Sequence, residues 1–112
     1  MGTSSSSEED SWTAGVLIFS GRPNPSWAMS KAQVAALMAI WTQLKSCADR
    51  LEPARLGYSG CYIQNEREGR WVARNTRVFH DDDGRVECRE DTERRFEAAI
   101  LVSAPAGSLP RI

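Results

Sequence analysis

The sequence is poor in the features that usually announce a function. It holds one histidine, His80, and three cysteines, Cys47, Cys61 and Cys88, with no Cys-x-x-Cys pair among them. An odd number of widely spaced cysteines is not a disulfide framework, so free, buried thiols in a reducing compartment are expected. Long apolar runs are missing too. The longest near the N-terminus, Ala14 to Phe19, is interrupted by Gly15 and is far too short to span a bilayer. No basic segment precedes it, so it does not read as a secretory signal, and a cytoplasmic chain is expected. Lysine is nearly absent: 12 of the 14 basic residues are arginine, leaving Lys31 and Lys45. Arginine grips planar anions bidentately and stacks on aromatic rings, which lysine does not.

An excess of charge of one sign is also lacking. The formal net charge of -1 leaves no global field to attract nucleic acid or an anionic membrane. Between residues 67 and 95, eight acidic residues accompany eight arginines. That balance points to cross-strand ion pairs rather than to an RNA-binding sheet, despite Tyr58, Tyr62, Trp71 and Phe79 nearby. No nucleic-acid partner is expected.

Catalytic signatures are missing as well. There is no G-x-S-x-G, no H-E-x-x-H and no glycine-rich phosphate loop. A Cys–His pair would need Cys88 to lie across a hairpin from His80, a register the sequence leaves open. Cys47, Cys61, His80 and Cys88 are donors of the kind zinc takes, but their spacing does not suit it. Asp81, Asp82, Asp83 and Gly84 resemble a fragment of a calcium loop. Contiguous acids between strand-like flanks read instead as a hairpin turn. The expectation is therefore a non-catalytic protein with no metal and no cofactor.

What remains describes one small α+β domain. Residues 1–11 hold no apolar residue after Met1 and carry Glu8, Glu9 and Asp10, which predicts a disordered polar tail. "MGTSSS" fits a loose N-myristoylation pattern at Gly2, but the acids that follow oppose an anionic surface, and no membrane partner is expected. Residues 12–112 form the predicted domain. "VLIF", bracketed by Gly15 and Gly21, predicts a central strand. A helix is predicted over residues 30–51. Ser30 and Gln33 form its capping box, its apolar stripe runs from Val34 through Leu37 and Trp41 to Leu51, and Pro53 ends it. "YSGCYIQ" predicts a strand with a bulge or a close backbone approach at Gly60. "RWVARNTRVFH" reads as one strand, "DDDG" as a tight turn and "RVECRE" as the returning strand. Arginines alternate with apolar residues there, as on a sheet with one solvated face. A helix over residues 92–103, capped by Asp91 or Thr92, is preferred to a last strand. The order is β-α-β-β-β-α. It implies a mostly antiparallel sheet, covered on one face by helix 30–51 with the C-terminal helix beside it.

One stretch stands apart. "SGRPNPSW", Ser20 to Trp27, is a long connection stiffened by Pro23 and Pro25. Arg22 and Asn24 both precede proline and are held extended. Two readings follow. In the first, the chain is a small protein-interaction module, binding a protein partner or itself, and Arg22 and Asn24 only bond loop carbonyls while Trp27 is buried. In the second, the chain is a small binding protein or an enzyme, and Ser20, Arg22, Asn24 and Trp27, with the start of helix 30–51, hold a small anionic ligand.

Overall fold

The computed structural model describes residues 11–19, 24–48, 57–107 and 109. Gly2, the polar segment before Ser11, Ser20, Arg22 and the predicted helix residues 49–51 lie outside them. Among the described residues, seven strands and two helices follow in chain order: β1 Trp12–Phe19, β2 Ser26–Met29, α1 Lys31–Gln43, β3 Lys45–Cys47, β4 Gly57–Asn65, β5 Gly69–Arg74, β6 Arg77–Asp82, β7 Arg85–Glu90 and α2 Arg95–Val102. The strands form one sheet in the order β2-β1-β4-β5-β6-β7-β3, every neighbouring pair antiparallel. The α+β class and the antiparallel sheet are those expected. No helix among the described residues is long and apolar enough to cross a membrane.

Strand periodicity sorts the side chains between two faces. Ala14 and Val16 on β1, Cys61 and Ile63 on β4, Trp71 and Ala73 on β5 and Val78 on β6 share one face. They pack with Leu37 and Trp41 of α1 and with Phe96 and Ile100 of α2. Both helices therefore lie on this face. The other face carries Tyr62, Val72, Phe79 and Cys88 in register, and no described helix crosses it. Val72, Phe79 and Cys88 are nevertheless buried, a second and smaller apolar patch.

The capping box at the start of α1 forms as predicted. Gln33 N donates to Ser30 Oγ at 3.1 Å, and Ser30 N donates to Gln33 Oε1 at 2.9 Å. The helix ends at Gln43, well short of residue 51. Leu44 is extended, and Lys45–Cys47 forms an edge strand opposite Cys88–Glu90. Two interactions favour this break. Trp41 O, which a continuing helix would bond to Lys45 N, accepts instead from Leu44 N at 3.2 Å and from Arg89 Nη1 at 2.7 Å. Cys47 and Cys88 are register partners and are joined by a disulfide. The expectation of free thiols is corrected for these two. Among the described residues Cys61, fully buried, keeps its thiol outside a disulfide. The reason sequence spacing missed the pair is that antiparallel pairing brings together cysteines 41 residues apart.

Three further boundaries differ from the expected order. "RWVARNTRVFH" is two strands, because Asn75 and Thr76 both take positive φ and make a two-residue hairpin turn. Ser26–Met29, expected as loop, pairs with Trp12–Gly15 of β1. The C-terminal helix starts at Arg95 rather than at 92, after a turn closed by Arg94 N donating to Asp91 O at 2.8 Å. Asp91 still tethers it: its buried carboxylate accepts from Phe96 N and Glu97 N, each at 3.2 Å. Gly60 behaves as expected. It has φ +111, a Cβ there would collide with the Ala73 carbonyl oxygen, and the facing β1 register shifts between Val16 and Ile18.

Candidate functional site: a groove on the helix-free face

The described part of "SGRPNPSW" closes a sheet edge. β2 pairs with β1 only as far as Gly15. Beyond it, Val16 N donates to Pro25 O at 3.1 Å and Ile18 N to Asn24 Oδ1 at 2.9 Å. Pro25 has no N–H with which to extend the ladder, and the Asn24 amide oxygen acts in place of a backbone carbonyl. Trp27 is buried. Its Nε1 donates to Ser103 Oγ at 2.8 Å, which donates to Ile100 O at 2.6 Å, so β2 is tied to the end of α2. At the start of α1 the capping box already occupies the N–H of Gln33. The geometry thus brings Asn24 to the sheet edge and Trp27 to the core.

A different place combines concavity with an uncommitted charge. One row of the sheet runs Thr13, Gln64, Arg70, Asp81 across β1, β4, β5 and β6, each residue the register partner of the next. These four line an open groove of about 570 Å³ on the helix-free face, with Asn65, Glu66 and Asp83 lining its turn end. The volume is that of an ordinary small-ligand or side-chain site. Asn65 builds the floor of that end. Its Oδ1 accepts from Arg67 N at 2.8 Å and Glu68 N at 3.1 Å, and its Nδ2 donates to Ser11 O at 3.0 Å.

Arg70 is the unusual member. Its guanidinium carbon lies 4.5 Å above the centre of the Tyr62 ring. Its Nε is buried without a hydrogen-bond partner, and no partner for its terminal nitrogens occurs among the described residues. The Tyr62 ring is itself held over Gly15, where a Cβ would come within 2.6 Å of the phenol oxygen. A planar cation laid on a fixed ring has lost much of its rotational freedom before any ligand arrives. The acids nearby do not neutralise it by direct contact. Asp81 Oδ1 accepts instead from Gly84 N at 2.9 Å in the β6–β7 turn, where Asp83 and Gly84 take positive φ. Sequence reasoning placed Arg70 among arginines of a solvated face. The signal it lacked was register, which alone sets Arg70 diagonally against Tyr62.

The remaining chemistry-bearing residues do not assemble. His80 lies on the opposite face from Cys88. Its ring stacks on Trp71 at 3.8 Å and 9°, and its Nε2 bonds Glu68 O at 2.7 Å. Cys88 pairs with Phe79 and is bonded to Cys47, so neither a Cys–His dyad nor a zinc set including Cys47 and Cys88 forms. Arg89 lies 4.2 Å over the Trp41 ring, with Nε bonded to Glu87 and Nη1 to Trp41 O. Trp71 Nε1 is buried without a partner, but inside the aromatic cluster with Trp12, Trp41 and His80 on the helix-bearing face. A second hollow of about 420 Å³ lies between the end of α1 and the β7–α2 turn. There Lys45 and Arg95 face Glu90 and Glu93, and Arg95 reaches Gln43.

No protein-family model, no curated protein and no solved structure matches this chain, so the reading of its function stands on the groove alone.

Proposed function

We propose that this chain is a small non-catalytic interaction module that binds a protein partner through the groove on the helix-free face of its sheet. The observation that carries this reading is the Arg70 guanidinium, which rests on Tyr62 in that groove with no hydrogen-bond partner among the described residues. Arginine and tyrosine are the residues on which interfaces most often concentrate their binding energy, because each combines a large flat contact area with directional hydrogen bonds. No nucleophile and base are brought together among the described residues, which favours binding over catalysis. The edges favour a face-on contact as well. The outer strands β2 and β3 are only four and three residues long, which leaves little backbone for strand addition.

Site-specific photo-cross-linking tests this reading. A photoreactive residue at Gln64, exposed in the groove, is compared with one at Ala35, exposed on α1. The groove reading expects a discrete protein adduct from position 64 and none from 35. An adduct from position 35 alone would place the interface on the helix layer and end the reading.

A further inference from the structure

We infer that the groove recognises a single carboxylate, docked on the terminal nitrogens of Arg70, and that the protein partner presents it from an acidic side chain. This rests on the interaction-module reading and gives it a chemistry. A guanidinium and a carboxylate are both planar, and two parallel N–H···O bonds form when the cation is held in one orientation. Tyr62 provides that hold, and Gly15 provides the space the Tyr62 ring needs. With Nε buried, Nη1 and Nη2 are the donors left to a ligand.

The surrounding charge selects among anions. Glu66, Asp81 and Asp83 line the same groove as the one arginine. A phosphate or a di- or tricarboxylate would bring more negative charge than Arg70 can balance and would be repelled by these acids. A lone carboxylate carries the least charge for these acids to repel and is matched by Arg70, and basic residues flanking it in a peptide would be matched by the acids. Gln64, the register partner of Arg70, is the neutral group beside the arginine, and Thr13 lies one strand further along the same row. The same carboxylate could come from a free small acid, and the test separates the two sources.

The experiment is a nuclear magnetic resonance titration of the full-length, disulfide-intact chain, following the backbone amide signals of Gln64 and Asp81 in every variant and, in the parent chain, the Arg70 Nε–H signal. That signal is identified by its disappearance in Arg70→Ala. Three probes are used: a blocked peptide with one glutamate flanked by lysines, acetate, and inorganic phosphate. The expected result is a saturable shift with the peptide, weakened about tenfold or more by Arg70→Ala. Arg70→Lys should recover part of the affinity, since it keeps the charge and loses the planar fork. Phosphate should be the weakest probe, and Glu66→Gln with Asp83→Asn should narrow its disadvantage. If acetate saturates the signal and the peptide does not, the carboxylate site stands and the interaction-module reading falls. If the peptide binds Arg70→Ala as tightly as the parent chain, the module reading stands and the inference is overturned. Phosphate binding as tight as the peptide, or no saturable shift with any probe, also overturns it.

Discussion

Arg70 and Asp81 are register partners on adjacent strands, yet they do not pair with each other. Arg70 leans across the sheet onto Tyr62, and Asp81 turns the other way to bond Gly84 N at 2.9 Å. A directly opposed ion pair is the usual outcome of such a register. Here the turn at Asp83 and Gly84 holds the carboxylate and leaves the guanidinium to the groove.

The two residues should therefore separate on mutation. Asp81→Ala removes the bond to the turn and should cost about 0.5–1.5 kcal/mol of stability, read from urea denaturation. Its effect on the partner affinity that depends on Arg70 should be small, because the repulsion removed from the docked carboxylate offsets the attraction removed from flanking basic residues. A matching drop in affinity would mean that Asp81 itself contacts the ligand.

Gly15 is predicted to matter through the ring above it. Gly15→Ala puts a Cβ within 2.6 Å of the phenol oxygen of Tyr62, so the ring must tilt. Overfilling of this kind costs about 1–3 kcal/mol. The Arg70 Nε–H resonance should move in this variant even without ligand, because its stacking partner has moved.

Asn24 should act as an edge seal. Asn24→Ala leaves Ile18 N–H without its acceptor and should cost about 0.5–1.5 kcal/mol. Asn24→Asp keeps an oxygen in place and should restore most of that loss. Equal destabilisation by both would show that the amide oxygen is not the group that matters.

The disulfide should account for a sizeable part of the stability. Closing a loop of 41 residues is worth about 4 kcal/mol in the chain-entropy account. Reduction, or a Cys47→Ser and Cys88→Ser double change, should lower the denaturation midpoint. Amide protection should fall first in Lys45–Cys47, which pairs only with β7. Under native, oxidising conditions no thiol among the described residues should react with a bulky reagent, because Cys61 is fully buried.

Much of the fold could be read from the chain. The Ser30–Gln33 box, the Val34, Leu37, Trp41 stripe, the bulge at Gly60 and the turn at Asp83–Gly84 are local, and local chemistry determines them. The failures are non-local. Helix propensity extends past Gln43, but Arg89 and Cys88, more than forty residues on, take Trp41 O and Cys47 away from a helical continuation. Asn75–Thr76 carries none of the usual hairpin dipeptides, and the pairing of Ala73 with Val78 forces its backbone positive. The groove was illegible for the same reason. Its four members come from four strands, and only the register places Thr13, Gln64, Arg70 and Asp81 in one row. The proline-rich stretch drew attention because it is locally odd, whereas its described residues complete an edge.

The most direct test of the account is a map of amide shifts when the partner, or the single-glutamate peptide, saturates the labelled chain. The account predicts a contiguous set centred on Thr13, Gln64, Arg70 and Asp81, lost in Arg70→Ala, with α1 and α2 unmoved. A set centred on Lys31–Gln43 or Arg95–Val102, or one that persists in Arg70→Ala, would contradict it.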